Sequence, residues 1–176
     1  MKHLLISILL LGCGPNLYED PSDHRRTIVT NVEYQDQYKD ITIQSNYGDY
    51  QVYVEEFKTL VEQHTGIYPE DKVTDISFRP NSIGNVWATC KTYVREVNGN
   101  YYIVQASIEI DPNMKDQPEI LFKTVLFHEL GHCIINSDHV LNRQDLMYPY
   151  TQENITEKTS DEKIDTYMER LAKGEY

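Results

Sequence analysis

The sequence predicts one domain of mixed α/β (α+β) structure, built from three helices and several short strands. Three observations carry this prediction. Residues 50–66 place apolar side chains at helical spacing, residues 86–110 contain two alternating apolar stretches around Asn98-Gly99, and residues 119–135 form a long apolar run. The first and last of these patterns are typical of helices, and the second is typical of a β-hairpin. A chain of 176 residues is long enough to bury one hydrophobic core.

The charge of the chain excludes one class of partner. Acidic residues number 28 and basic residues 16, which gives a formal net charge of −12. Nucleic acids are polyanions that need a basic surface, so we expect no nucleic-acid partner.

The first twelve residues differ from the rest of the chain. Lys2 precedes a short apolar run from Leu4 to Leu11, which is too short to span a bilayer and is typical of a secretory signal peptide. The stretch Leu10-Leu11-Gly12-Cys13 resembles the lipobox of bacterial lipoproteins. The resemblance implies cleavage after residue 12, a lipid on Cys13, and a location in the bacterial cell envelope. The alternative is an ordinary signal peptide with Cys13 at this place by chance.

The segment after Cys13 predicts a tether. Residues 13–26 contain two prolines and few apolar side chains. We therefore divide the chain into a signal peptide (1–12), a tether (13–26) and a single domain (27–176). In the domain, residues 27–32 and 41–44 are candidate short strands.

The main helices and strands follow in order. A helix is predicted to end at Gly66, and residues 73–78 read as a strand. A second helix is predicted from a capping signal at residues 116–119 to Asn136, and a third from Thr159 to Gly174. The second helix is apolar nearly all round, so we expect it to be central and buried.

The register of the hairpin can be tested from the sequence. A two-residue loop would pair Val94 with Ile103, which puts the two apolar faces on opposite sides of the sheet. A three-residue loop would pair Val94 with Val104 and Cys90 with Ile108. We therefore expect a three-residue connection or a β-bulge, with Cys90 in the core. The sequence leaves open whether Cys90 and Cys133 form a disulfide or remain two buried thiols.

Residues 128–132 read HELGH and contain two candidate zinc ligands and the candidate general base. His128 and His132 lie one helical turn apart on the same face, so both ring nitrogens can bind one zinc ion. Glu129 is rotated by about 100° along the helix and can reach a water on the ion as a general base. Asp138 and His139 are the two candidates for the third ligand.

A second motif follows this helix. Residues 146–149 read LMYP, and together with HELGH they resemble the metzincin zinc peptidases, the matrixin branch most closely. In matrixins a HExGHxxGxxH helix precedes a Met-turn that reads LMYP. The resemblance covers residues 27–173 in element order and residues 128–150 in specific motifs. It implies a twisted mixed sheet, an N-terminal helix, a central zinc-binding helix, the Met-turn and a C-terminal helix, with Met147 beneath the zinc.

The spacing of the third ligand departs from the family. Asp138 stands ten residues after His128, where matrixins have the third histidine, and His139 stands eleven after it. Counted back from Met147, His139 lies eight residues away, which is the usual matrixin separation. One extra residue in the intervening turn would explain both counts. We expect His139 to be the third ligand and keep Asp138 as the alternative.

The resemblance implies a function. We expect a zinc endopeptidase with one catalytic Zn²⁺, in which Glu129 activates a zinc-bound water. Its protein or peptide substrate would bind as an extended strand near residues 86–110. We expect a monomer anchored to a membrane by lipid. One alternative is a gluzincin-type peptidase with a downstream glutamate as third ligand, for which Glu153, Glu157 and Glu162 are candidates. The other is a non-catalytic lipoprotein binding module in which four protein ligands hold a structural zinc.

Overall fold

The computed structural model of the chain describes residues 6–13, 48–80, 86–97, 100–149 and 154–175. Its elements confirm the predicted mixed α/β class. The helices are α1 (Gln51–Thr65), α2 (Glu119–Leu130) and α3 (Glu157–Ala172), and the strands are β1 (Ile6–Cys13), β2 (Val73–Phe78), β3 (Ala88–Val97) and β4 (Asn100–Ile110). The tether at 14–26 and the candidate strands at 27–32 and 41–44 lie outside the described residues.

The strands form one sheet in the order β1-β3-β4-β2. β2 runs parallel to β4, while β3 is antiparallel to both β4 and β1. The sheet is therefore mixed, as predicted. The parallel pairing of β2 with β4 places β3, the first strand of the hairpin, on the side of β4 away from β2.

The hairpin contains the predicted bulge. Cys90 pairs with Ile108, but the register shifts between Tyr93 and Val94, so Val94 pairs with Ile103. Val104 is the extra residue on β4, and its side chain is 41% exposed. The predicted pairing of Val94 with Val104 is therefore wrong. The bulge restores the register between the apolar faces of β3 and β4. It lets Cys90 and Ile108 share the buried face despite the short connection.

β1 consists of the segment that the sequence predicts to be the apolar part of a signal peptide. It pairs with β3 from Ile6 opposite Arg95 to Cys13 opposite Ala88. This pairing belongs to the uncleaved chain, so the cleavage after residue 12 stays a prediction. Among the described residues, no helix combines the length and apolar character needed to cross a bilayer.

α2 is the central helix of the domain. It contacts α1, α3 and β3, and every side chain from Leu121 to Leu130 is buried except the half-buried Lys123. The Phe57 ring of α1 lies between Phe127 of α2 and Tyr167 of α3, with ring centroids 5.4 and 6.4 Å apart. Surrounded in this way, α2 has no polar face, as its apolar sequence predicts.

α3 begins two residues before its predicted start. The capping residue is Thr156, whose Oγ1 accepts a hydrogen bond from the backbone N–H of Thr159 at 3.3 Å. The Thr159 hydroxyl oxygen in turn accepts from the backbone N–H of Thr156 at 2.8 Å. A capping box usually has glutamate or glutamine three residues after the cap, and here a threonine fills that role.

Cys90 and Cys133 form a disulfide, with their Cα atoms 5.7 Å apart. Both residues are fully buried. The bond joins β3 to the turn that follows α2, next to His132. It answers a question that the sequence left open, because the two cysteines are 43 residues apart and only the packing of α2 on β3 brings them together.

Candidate metal centre

Two histidines lie where α2 ends. His128 belongs to the last turn of α2, and His132 lies in the π-helical turn Gly131–Ile135 that continues it. His128 is 4% exposed and His132 is fully buried. Because the two histidines are four positions apart on a helical path, their rings lie side by side, with centroids 4.7 Å apart.

After the π-helical turn the chain reverses direction, and this reversal brings a third histidine, His139, next to the first two. Asn136 ends the turn in the left-handed conformation at φ 63°, and its backbone N–H donates to the Gly131 carbonyl. The Ser137 N–H donates to the same carbonyl at 3.1 Å. Asparagine tolerates this conformation better than most residues, which agrees with its predicted role as a helix stop. The segment after Asn136 then leads back toward α2, where the His139 ring contacts the rings of His128 and His132.

The Nε2 atoms of the three histidines converge. The distances are 3.0 Å between His132 and His128, 3.0 Å between His132 and His139, and 3.2 Å between His128 and His139. Two nitrogens that bind one zinc at 2.0–2.1 Å in tetrahedral geometry lie roughly 3.3 Å apart. The three nitrogens are thus spaced as ligands of a single ion would be. Asp138, the alternative ligand, is exposed and does not join this group.

The opposite ring nitrogens of the two helical histidines explain why their Nε2 atoms can bind a cation. Nδ1 of His128 donates to the Leu146 carbonyl, and Nδ1 of His132 donates to the Ser137 carbonyl, each at 2.7 Å. A neutral imidazole that carries its proton on Nδ1 has a lone pair on Nε2. Burial lowers the pKa of His128 to about 4 and holds the pKa of His132 well below its usual value. Both rings are therefore neutral near pH 7, and their lone pairs face the same point.

A glycine lets a methionine approach the histidine helix closely. A Cβ atom on Gly131 would lie 2.6 Å from Sδ of Met147. Such a contact is far inside van der Waals distance, so the methionine can occupy its place only because residue 131 has no side chain. Met147 is fully buried. Gly131 therefore permits the close approach of the Met147 side chain to the helix end.

The segment that carries Met147 is a tight turn. The Tyr148 N–H donates to the Asp145 carbonyl at 3.2 Å, and the Met147 N–H donates to Oδ1 of Asp145 at 2.8 Å. The Met147 carbonyl accepts from the Val140 N–H at 3.0 Å. The last bond joins the turn to the segment that contains His139.

Glu129 is the acidic residue between the first two histidines, and it is fully buried on α2. A carboxylate next to a metal-binding histidine can accept a proton from water and pass it on. The downstream glutamates do not take part in the histidine group: Glu157 and Glu162 are exposed, and Glu162 pairs with Lys158 at 3.7 Å. Glu153 lies outside the described residues.

Several polar residues near the histidines were not predicted from the sequence. The hydroxyl oxygens of Ser137 and Tyr167 lie 2.8 Å apart in the buried interior. Asp145 and Arg170 form a largely buried ion pair at 2.9 Å. A polar residue within an otherwise apolar stretch is the one signal that could have indicated them, because buried polar atoms need partners.

All three histidines of this candidate centre belong to this one chain. Comparison with known protein families, with curated proteins and with solved structures finds no match to this chain. Among the described residues, His128, His132 and His139 form a group that could hold a metal ion.

Proposed function

We propose that the protein is a zinc-dependent endopeptidase of metzincin type, similar to the matrixins. The observation that carries the proposal is the convergence of three Nε2 atoms within 3.2 Å of one another, at the end of the helix that also contains Glu129. The LMYP turn beneath that helix supports it. The buried Met147 side chain lies against Gly131, within the five-residue HELGH segment.

Each residue of the site has a separate task in this proposal. His128, His132 and His139 would hold the ion. When bound there, zinc supplies a Lewis acid that polarises the scissile carbonyl and lowers the pKa of the attacking water. Glu129 would accept the proton of that water and later pass it to the leaving amine. Met147 gives the site an apolar floor.

The number of protein ligands favours a catalytic centre over a structural one. Structural zinc sites hold four protein ligands, whereas catalytic sites hold three and keep one position for water or substrate. The group here contains three histidines, and among the described residues no cysteine, aspartate or glutamate joins it. This count supports the peptidase over the binding module. It also disfavours a gluzincin site, because no described glutamate belongs to the group.

The π-helical turn supports the matrixin comparison. His139 lies eleven residues after His128, one more than in matrixins. A π-helical turn contains one residue more than an α-helical path over the same rise. The turn at Gly131–Ile135 can therefore accommodate the additional residue while His139 still reaches the other histidines.

The main test removes the proposed base alone. Glu129→Gln keeps the shape of the side chain and loses the basic oxygen, so zinc content should stay at one ion per chain. Cleavage of an unfolded protein such as casein should fall by at least ~10²-fold, as expected for loss of a general base. Glu119→Gln, on the same helix, is the matched control and should cleave like the wild type.

Two outcomes would contradict the proposal. A wild type that binds zinc but cleaves no unfolded protein would favour the binding module. A Glu129→Gln variant that loses its zinc together with its activity would mean that Glu129 holds the ion.

The proposal includes a lipid anchor at Cys13, because residues 10–13 read as a lipobox. Bacterial lipoproteins carry several acyl chains, which hold a protein firmly on a membrane. The wild type should therefore sediment with membranes, and Cys13→Ser should remain in the supernatant. A wild type found wholly in the soluble fraction would reject the anchor and leave the peptidase proposal intact.

A further inference from the structure

α3 contributes no histidine to the metal centre, yet it contacts both segments that orient the helical histidines. The contacts are made through the backbone of Lys163 and through the side chains of Tyr167 and Arg170. Each lies in a buried or half-buried position on the face of α3 that packs against the rest of the domain.

The first connection runs from α3 to His128. The Leu146 carbonyl accepts from Nδ1 of His128 at 2.7 Å, and the N–H of the same residue donates to the Lys163 carbonyl at 3.1 Å. One residue thus links the histidine ring to the backbone of α3.

The position of Leu146 depends on its neighbour Asp145. Oδ2 of Asp145 accepts from Nε of Arg170 at 2.9 Å, and Oδ1 lies 3.4 Å from Nη2. The aspartate side chain is 1% exposed and the arginine side chain 14%. A carboxylate buried to this degree needs a partner, since burial of an unpaired charge is costly. Arg170 also donates from Nη1 to the Glu175 carbonyl at 2.7 Å, which fixes the guanidinium from its other side.

The second connection runs from α3 to His132. Its Nδ1 donates to the Ser137 carbonyl, and the hydroxyl oxygen of Ser137 lies 2.8 Å from that of Tyr167. Tyr167 is fully buried, and burial raises the pKa of its phenol, so the hydroxyl keeps its proton. The same hydroxyl would lie 3.2 Å from a Cβ on Gly131, so it also packs against the helix end itself.

We propose that Arg170 and Tyr167 are positioning residues that set the orientation of His128 and His132 toward the metal. The inference rests on the proposed zinc site and adds a role for α3 that the histidine motif does not contain. Arg170 acts on His128 through Asp145 and Leu146, and Tyr167 acts on His132 through Ser137. Hydrogen-bond partners of this kind orient metal-binding histidines, and their loss costs ~10–100-fold in metal affinity.

The test measures metal binding by the full chain. Arg170→Met removes the cation and keeps a long side chain, and Tyr167→Phe removes one hydroxyl group. Zinc affinity is measured by competition with a chelator, and the visible absorption spectrum of the Co²⁺-loaded protein reports ligand geometry. We expect a ~10–100-fold loss of zinc affinity for Arg170→Met and about 10-fold for Tyr167→Phe, each with a shifted cobalt spectrum.

Lys123→Met is the matched control. Lys123 lies on the histidine helix itself and forms an ion pair with Glu56 of α1 at 2.6 Å, which is not part of the connections through Leu146 and Ser137. Lys123→Met loses a cation and an ion pair, as Arg170→Met does, but it should bind zinc like the wild type. If Arg170→Met does not fold, Arg170→Lys takes its place. Lysine keeps the charge but cannot contact both aspartate oxygens through a planar fork, so we expect a smaller loss of affinity.

The outcomes separate the two proposals. If both variants bind zinc as tightly as Lys123→Met, with unchanged cobalt spectra, the positioning inference is wrong while the peptidase stands. If the wild type binds zinc but cleaves nothing, the peptidase is wrong and the affinity series still decides the inference. A wild type that binds no zinc would overturn both.

Discussion

The two ends of α2 are built on different principles. At its N-terminal end, Phe122 packs against Tyr50, Tyr53 and Phe78 with ring centroids 5.3 to 6.3 Å apart, and these rings border a cavity of about 290 Å³. At its C-terminal end, hydrogen bonds of 2.7 Å to carbonyl oxygens hold the two histidines. The Met147 side chain packs closely against Gly131.

This difference explains why one end can serve as a packing surface and the other as a chemical site. The ring contacts at the aromatic end involve no polar atom that depends on a single partner, so a substitution that keeps the ring should lose little. At the histidine end, each buried polar atom depends on one partner in one place, and the loss of that partner leaves a costly unsatisfied group. We therefore expect substitutions to become more damaging from one end of the helix to the other.

The largest effect is expected at the third histidine. His139→Ala removes one of three converging Nε2 atoms and should lower zinc affinity by several orders of magnitude. Asp138→Ala, at the exposed neighbouring position, is the control and should cost ~10–100-fold at most. Zinc titration against a competing chelator measures both. A result in which Asp138→Ala loses the metal and His139→Ala keeps it would assign the third ligand to the aspartate.

A medium effect is expected at the contact between the helix and the Met147 turn. In Gly131→Ala the new Cβ would lie 2.6 Å from the Met147 sulfur, so the methionine must move within a packed interior. Overpacking of this kind typically costs about 1–3 kcal/mol in the free energy of unfolding. Chemical denaturation followed by circular dichroism measures it. In a double-mutant cycle, Gly131→Ala should cost less in the Met147→Ala background than in the wild type, and an equal cost in both backgrounds would mean that the strain arises elsewhere.

The smallest effect is expected at the aromatic end. Tyr53→Phe removes a hydroxyl that donates to Oε1 of Glu119 at 2.7 Å in an exposed position. The ring and its contact with Phe122 remain, so the free energy of unfolding should change by no more than about 0.5 kcal/mol. Zinc affinity should stay as in the wild type. A loss of zinc affinity in Tyr53→Phe would show that the two ends of α2 are coupled, and the contrast drawn between them would not hold.

The features that follow from local spacing could be predicted from the sequence. The turn-by-turn placement of His128 and His132, the stop at Asn136 and the need for a bulge in the hairpin all depend on residues close in the chain. The start of α3 was predicted two residues late, because a threonine at position 159 closes the capping box in place of the usual glutamate or glutamine.

The features that depend on packing could not be predicted. Arg170 meets Asp145, 25 residues away, only because α3 docks across the end of α2. The pairing of Ser137 with Tyr167 and the Cys90–Cys133 bond have the same origin. In each case the two residues are far apart in the chain, and their spacing does not indicate that they are in contact. Each contact is also between polar or sulfur atoms, which the periodicity of apolar residues does not predict.

The Cys90–Cys133 bond also has a consequence for the proposed zinc site. Cys133 directly follows His132, and a free thiolate is itself a strong zinc ligand. In a reduced chain, that sulfur would be available to compete with the histidines for an ion. Because it is bonded to Cys90, the sulfur cannot bind zinc as a thiolate. The disulfide therefore removes a competing zinc ligand from the position next to His132.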